Sequence, residues 1–204
     1  MIDHSGVPLT CLITKGEGTP ERFPAYSKEI LDTVKRSIDS RISFIQVREK
    51  QISTRQLFEL ASAAAEMVSG SKTKLLINGR ADVAMAAGAH GVHLPEDGVP
   101  VADVRRVAPP DFLIGASIHS LEAALSARSA GADLVVAGPV FDSQGKQGRG
   151  LAWLGEICKS LEDFPVLAVG GIDGSNYTSV LESGASGYAA IRYLNEFVGQ
   201  GAFR

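Results

Sequence analysis

Cysteine is scarce in this sequence, with only Cys11 and Cys158 among 204 residues. Cys11 lies in an apolar strand pattern and Cys158 in a helical one, so we expect two buried free thiols. No Cys/His cluster has the spacing of a zinc site. No apolar run reaches the ~18 residues that a membrane span requires. The first residues form neither a charged leader nor an apolar signal segment. These absences predict a cytoplasmic protein with no membrane partner.

The sequence also lacks a large excess of either sign of charge, because the net charge is only −3. Without a basic excess, we expect no nucleic-acid partner. Hydrophobic residues make up 45% and charged residues 21% of the chain, as in ordinary globular proteins. The length suits one domain.

Short apolar runs recur at regular intervals, and stretches with helical apolar spacing separate them. Such alternation indicates parallel strands with crossover helices, and eight units favour a closed barrel over an open doubly wound sheet. We therefore predict a single-domain α/β fold, a (β/α)8 TIM barrel over residues 1–204, close to the ~200-residue lower limit for this fold. The predicted strands are Leu9–Ile13, Phe44–Val47, Leu75–Ile77, Gly91–Leu94, Phe112–Ala116, Leu134–Ala137, Val166–Val169 and Tyr188–Ile191.

Helix boundaries are suggested at three polar residues. Ser27 and Ser120 are candidate N-caps, and Ser175 is a candidate helix start near the end of the chain.

Polar residues follow the second predicted strand. Strand periodicity places Gln46, Arg48 and Lys50 on one face. Active sites of barrels lie at the C-terminal ends of the strands, so this stripe predicts a mouth that binds a polar or anionic ligand. A salt-bridge network with Glu49 is the alternative.

Histidines occur near two other strand ends. Ser117 and His119 share one face after the fifth run, and a histidine there can exchange protons near neutral pH. His119 is therefore our candidate catalytic residue, with helix capping as the alternative. His93 either lines the mouth or belongs to the core, and His90 suits a turn.

Glycines mark a candidate phosphate site after the seventh and eighth runs. Gly170, Gly171, Gly187 and Ala189 offer backbone N–H groups that a ligand can approach closely. Barrel enzymes commonly bind phosphate there, although tight turns alone would also explain the glycines. The loop at 141–150 is polar and contains Lys146, which predicts either a cationic lid or a solvated surface loop.

Several of these segments together resemble the thiamine phosphate synthase and TenI superfamily across nearly the whole chain. The segments are Gln46–Lys50, Asn78–Ala84, Gly91–Leu94, Ile114–Ser120, Gly138–Phe141 and Ala168–Ile172. The resemblance implies a small phosphorylated thiazole-type ligand, bound by Gln46, Arg48, Lys50, Asn78, Ser117 and Lys146. Family members are often dimers, so it also implies a homodimer.

Two glycines depart from the synthase pattern. Gly79 stands where synthases have Asp in Asn-Asp-Arg, and Gly98 falls at the last acid of Gly-Gln-Glu-Asp, with Asp97 one residue before it. Magnesium is usually held by one or two carboxylates plus phosphates. The pattern therefore favours the TenI-like branch. We predict a thiazole tautomerase without metal or other cofactor, in which His119 moves the proton.

Three alternatives remain open at this stage. The first is a thiamine phosphate synthase, which uses magnesium to join a pyrimidine pyrophosphate to a thiazole phosphate. The second is a barrel that binds these phosphates without turnover. The third is an unrelated phosphosugar isomerase, since fold does not fix function.

Overall fold

Eight parallel strands form a closed barrel in the computed structural model, which describes residues 6–143 and 145–200. Each strand pairs with the next, and the eighth pairs with the first. The predicted (β/α)8 barrel is therefore confirmed. The strands are β1 (Leu9–Ile13), β2 (Phe44–Val47), β3 (Lys74–Asn78), β4 (Gly91–Leu94), β5 (Leu113–Ile118), β6 (Leu134–Ala137), β7 (Val166–Val169) and β8 (Gly187–Ala190).

A helix follows every strand, as parallel pairing requires. The helices are α1 (Phe23–Asp39), α2 (Thr54–Val68), α3 (Ala81–Ala86), α4 (Val101–Val107), α5 (Leu121–Ser129), α6 (Leu151–Leu161), α7 (Tyr177–Glu182) and α8 (Arg192–Gly199). At the start of α5, the Ser120 side chain accepts a hydrogen bond from the Ala123 amide, as predicted for an N-cap.

Side chains of the strands alternate between two separate hydrophobic clusters. One cluster fills the barrel interior and includes Cys11, Phe44 and Leu167. The other lies between the barrel and the helices and includes Leu12 and Ile45. The inward face of each strand is therefore fixed by parity, which decides which polar side chains reach the mouth.

Two helix starts differ from the prediction. α1 begins at Phe23 with a proline in its first turn, and the Ser27 hydroxyl bonds back to Pro24 O within that turn. α7 begins at Tyr177, because Ser175 lies in a turn where its N–H and hydroxyl both donate to Asp173 Oδ1. α1 thus begins before Ser27, and α7 begins after Ser175.

Both cysteines are buried free thiols. Burial raises the pKa of Cys11 to about 12 and that of Cys158 to about 11, so neither is a reactive thiolate at neutral pH. Among the described residues, no helix combines the length and apolar character needed to cross a membrane.

Candidate active site

Four inward-facing polar side chains stand on neighbouring strands near the C-terminal end of the barrel. We call Gln46, Asn78, His93 and Ser117 the polar layer. Gln46 Nε2 donates to Asn78 Oδ1 over 2.9 Å, and Asn78 lies beside His93 in the register of β3 and β4. His93 Nε2 lies 2.7 Å from Ser117 Oγ. Within the layer, one side-chain hydrogen bond therefore joins β2 to β3 and another joins β4 to β5.

Two buried atoms of the polar layer have no hydrogen-bond partner within the described residues. They are Gln46 Oε1 and His93 Nδ1. Gln46 is 2% exposed and His93 is 4% exposed. Unpaired buried polar atoms are costly and rare in native proteins. They mark the layer as a place where a ligand can supply a missing bond.

Arg48 and Glu49 at the end of β2 connect the layer to the loop after β1. The Glu49 carboxylate is buried and accepts hydrogen bonds from Thr14 Oγ1 at 2.6 Å, Gly18 N at 3.1 Å and Tyr26 Oη at 3.2 Å. Burial, with a smaller contribution from the Glu49 charge, raises the pKa of Tyr26 to about 12. Glu49 therefore anchors this loop, and sequence periodicity alone gave no signal for that role.

Arg48 is half-buried beneath the anchored loop. A Cβ at Gly16, whose φ is +74°, would lie 3.2 Å from Arg48 O and 3.6 Å from its Nη1. Arg48 N donates to Thr14 Oγ1, which extends the same network. Arg48 thus packs against the loop after β1, and its charge lies close to the barrel mouth.

His119 follows β5 and is held in one orientation. Its Nδ1 lies 2.5 Å from Gly138 O, an acceptor, so Nδ1 carries a hydrogen. Nε2 then faces the carboxylate of Glu96, 3.7 Å away on the loop after β4. Both side chains are partly exposed at 42% and 41%. Sequence analysis did not single out Glu96.

A cavity of about 370 Å³ lies beside His119 and is lined by the loop after β6, including Lys146, Gly148 and Arg149. The Arg149 guanidinium lies 5.2 Å from the centre of the Trp153 ring. Gly148 N donates to Asp142 Oδ1 over 2.7 Å and stabilises the turn. Three groups that can carry positive charge therefore surround one cavity.

Lys50 and Asn78 line a second cavity of about 360 Å³, between the loops after β2 and β3. Lys50 is exposed, and it is absent from the lining of the cavity at His119. Thus the structure brings Gln46, Asn78 and Ser117 into one layer but places Lys50 apart from His119.

Gly170 and Gly171 have positive φ angles of +99° and +66°. A Cβ at Gly170 would lie 2.5 Å from Pro139 Cβ, and one at Gly171 would lie 2.7 Å from Phe141 Cβ. Both glycines therefore let the loop after β6 pack onto the end of β7. They lie at the mouth, next to the loop that carries Lys146.

Gly187 and Ala189 occupy different positions from the other predicted phosphate residues. Gly187 is the first residue of β8, at the opposite end from the mouth, where a Cβ would lie 1.8 Å from Leu9 O. Ala189 is 0% exposed inside the barrel. Because close strand packing accounts for both residues, we do not include them in the phosphate site proposed below.

Two carboxylates near the mouth are already engaged with other groups of the chain. Glu49 is engaged with the loop after β1, and Asp82 is paired with Arg80 at 2.6 Å. Glu96 and the exposed Asp97 remain, on a single loop. Across residues 6–143 and 145–200, no group of three or more His, Cys, Asp or Glu could hold a metal ion. Magnesium is usually held by one or two carboxylates plus substrate phosphates and water, so Glu96 and Asp97 are the carboxylates that would hold it at this mouth.

A closed barrel whose mouth combines a polar layer with a cationic cavity defines a TIM-barrel enzyme for anionic small molecules. The family model described as thiamine monophosphate synthase, TMP-TENI, matches residues 13–194. The chain belongs to this family.

Relatives and one solved structure agree with this assignment. The thiamine-phosphate synthase of Methanoculleus marisnigri is 42% identical and covers 77% of this chain and 74% of its own. That of Caldanaerobacter subterraneus is 37% identical, with 80% and 78% covered. The thiamine phosphate pyrophosphorylase structure from Pyrococcus furiosus superposes with a TM-score of 0.78 at 28% identity, over 96% and 97% of the two chains.

These relatives overturn the predicted tautomerase. The curated relatives are named thiamine-phosphate synthases, and their similarity extends over most of this chain. Nothing in the similarity is specific to the TenI-like branch. The glycines at 79 and 98 were therefore insufficient to assign the chain to that branch. The superfamily prediction is confirmed, whereas the isomerase prediction is wrong.

Proposed function

We propose that this chain is a thiamine-phosphate synthase, which joins a pyrimidine diphosphate to a thiazole phosphate and releases diphosphate. The observation that carries the proposal is the 42% identity to a synthase over 77% of the chain. The shared fold and the cationic cavity at the mouth support it. A homodimer and a cytoplasmic location remain predictions.

The reaction sets clear demands on the site. The bond between the pyrimidine methylene carbon and the diphosphate oxygen breaks, and its electron pair leaves with the diphosphate. The lone pair of the thiazole nitrogen forms the new carbon–nitrogen bond. The site must therefore hold two rings in contact and stabilise the negative charge that develops on the leaving group.

The polar layer is suited to the pyrimidine ring. Gln46 Oε1 is a buried acceptor without a partner in the described part of the chain, so it can take a hydrogen bond from an amine on the ring. Asn78 fixes the Gln46 amide through its own side-chain oxygen, which leaves the acceptor free. We propose that this pair orients the pyrimidine and that Arg48 and Lys50 add positive charge near the mouth.

The cavity beside His119 is suited to the diphosphate. Lys146 and Arg149 bring positive charge to the cavity, and His119 brings a hydrogen-bonding group. Ser117 does not line the cavity, but it lies two residues before His119, near the end of β5. Charge-assisted bonds to phosphate oxygens are among the stronger hydrogen bonds in proteins. We propose that these side chains hold the leaving group, with the thiazole phosphate nearby at the backbone of Gly170 and Gly171.

A coupling assay tests this function. Purified protein is given both substrates, with and without added magnesium, and thiamine phosphate is quantified by chromatography. We expect thiamine phosphate to form. We expect Ser117→Ala to lower the rate by about 10-fold or more, because Ser117 is proposed to contact the leaving group. Glu59→Gln, on the outer face of α2, serves as the control and should retain wild-type rates.

A result without product would contradict the proposal. If both substrates raise the melting temperature but no thiamine phosphate forms under either magnesium condition, the protein binds these ligands without coupling them. Equal rates for wild type and Ser117→Ala would instead contradict the placement of the leaving group.

A further inference from the structure

We infer that His93 is a positioning residue that donates its Nε2 hydrogen to Ser117 Oγ and thereby directs the Ser117 hydroxyl hydrogen toward the substrate diphosphate. The inference rests on the proposed function for the identity of the ligand. It adds a role for a buried histidine that does not itself touch the reacting atoms.

His93 is buried inside the barrel. It stands in the middle of β4, with Asn78 of β3 on one side and Gly115 of β5 on the other. The side chain is 4% exposed, whereas Ser117 is half-buried at the end of β5. His93 is therefore behind Ser117 as seen from the mouth, and the 2.7 Å contact connects the two.

The surroundings of His93 Nδ1 indicate the tautomer of the ring. His93 Nδ1 has no hydrogen-bond partner among the described residues, and an ideal Cβ at Gly115 would lie 3.3 Å from it. A C–H of Gly115 therefore points at Nδ1. A C–H can face a nitrogen lone pair, but an N–H in that position would be a buried donor without an acceptor. The structure thus favours hydrogen on Nε2 and a bare Nδ1.

The buried ring of His93 favours its neutral form. Burial, together with the nearby charge of Arg48, lowers the pKa of His93 to about 4. At neutral pH the ring therefore carries a single N–H. If that hydrogen is on Nε2, Ser117 Oγ must act as the acceptor in the 2.7 Å contact.

The His93 tautomer restricts the direction of the Ser117 hydroxyl hydrogen. A hydroxyl has one hydrogen to donate and two lone pairs. With His93 donating to one lone pair, the Ser117 hydrogen must go to a different acceptor, on the side of the mouth. An ionised phosphate oxygen carries no hydrogen and accepts hydrogen bonds, so it suits this hydroxyl. The arrangement therefore presents a hydrogen-bond donor at the position where the diphosphate is proposed to bind.

Two substitutions of His93 separate this role from simple packing. His93→Gln can place an amide N–H near the position of Nε2, while His93→Leu fills the space without a donor. Binding of inorganic pyrophosphate, measured by calorimetry, is the readout. We expect His93→Leu and Ser117→Ala each to weaken binding by about 10-fold, and His93→Gln by no more than about 3-fold.

A double variant tests whether His93 acts through Ser117. We expect His93→Leu to cause little further loss when Ser117 is already alanine, because the two residues form one unit. His90→Gln is the matched control, since His90 accepts a bond from Leu75 N before β4, at the end away from the mouth. It should leave pyrophosphate binding unchanged.

Nitrogen-15 NMR of the histidine rings tests the tautomer without any substrate. We expect the His93 signal, assigned by its loss in His93→Gln, to show hydrogen on Nε2 and none on Nδ1 near pH 7. Hydrogen on Nδ1, or wild-type pyrophosphate affinity in a folded His93→Leu variant, would overturn the inference. Because neither measurement requires turnover, failure of the inference is distinguishable from failure of the coupling assay.

Discussion

The carboxylate of Glu96 lies 3.7 Å from Nε2 of His119, and this contact joins the loops after β4 and β5 across the barrel mouth. The other ring nitrogen of His119 is already committed to Gly138 O. The imidazole is thus oriented by its bond at Nδ1, and Nε2 faces the carboxylate. When protonated, it can form an ion pair with Glu96 at the edge of the cationic cavity.

Glu96→Gln tests whether that contact assists the reaction. The change keeps the side-chain size and removes the charge, so the imidazole loses an ionic partner. Exposed ion pairs contribute about 0.2–1 kcal/mol, and we therefore expect kcat/KM to fall by only about 2- to 5-fold. Steady-state kinetics at low and high salt measure the effect, which salt should reduce. Glu59→Gln provides the matched loss of an exposed carboxylate; an equal fall in both variants would argue against a specific role for Glu96.

Lys146 and Arg149 should contribute to binding of the diphosphate substrate. Removing either charge by substitution with alanine leaves one cation at the cavity, so we expect KM for the pyrimidine diphosphate to rise by about 5- to 10-fold in each variant. Lys159→Ala, at the far end of α6, controls for the change in net charge. An unchanged KM in both variants would place the diphosphate elsewhere.

Gly170→Ala should disturb the site through the backbone. The new Cβ would meet Pro139 at 2.5 Å, and the φ of +99° is unfavourable for alanine. We expect a loss of about 2–4 kcal/mol in the free energy of unfolding, together with reduced turnover, because the loop that carries Lys146 must shift.

Gly155→Ala is the counterpart within α6, where the nearest contact of a new Cβ is Ser183 O at 3.6 Å. There we expect an increase of about 0.5–1 kcal/mol in the free energy of unfolding. Urea denaturation of both variants checks the opposite signs, and a stable, active Gly170→Ala protein would contradict the packing argument.

Much of the fold was predictable because strand signals are local. The predicted bounds of β1, β2, β4, β6 and β7 agree with the structure. The prediction for β5 began one residue early and ended two residues short, because its polar end at Ser117 interrupts the apolar pattern. The short helices α3 and α4 escaped prediction because six or seven residues carry too little periodicity.

The site was less predictable because its contacts cross between distant segments. Strand parity correctly placed Gln46 on the inward face, as its bond to Asn78 shows. Parity could not show that the loop after β1 returns to cover Glu49, which lies 35 residues from Thr14 in sequence. Similarly, the pairing of Glu96 with His119 depends on two loops whose conformations no periodicity describes.

Glu49→Gln should destabilise the protein more than its size suggests. One carboxylate oxygen becomes an NH₂ group facing the donors of Thr14, Gly18 and Tyr26. Since hydrogen bonds to a buried charge are lost, we expect the free energy of unfolding to fall by about 2–3 kcal/mol. Urea denaturation measures this, and Glu59→Gln should stay within about 0.5 kcal/mol of wild type. Equal stability of the two variants would contradict the anchoring role.

The pH dependence of stability should contain a contribution from His93. Burial and the charge of Arg48 lower its pKa in the folded protein from 6.5 to about 4. Between these values the unfolded chain binds a proton at this site and the folded protein does not. The His93 contribution is therefore fully present above pH 6.5 and is lost as the pH falls toward 4, by up to about 3 kcal/mol.

Denaturation of wild type and His93→Leu at several pH values between 7 and 4 isolates this contribution, because leucine does not titrate. Other groups titrate in both proteins, so only the difference between the two curves counts. We expect His93→Leu to lose less stability on acidification, and the difference between the two proteins to change mainly from about pH 6.5 to about pH 4. Parallel curves would mean that His93 is protonated as readily in the folded protein as in the unfolded chain, which is incompatible with a buried ring holding a single hydrogen toward Ser117.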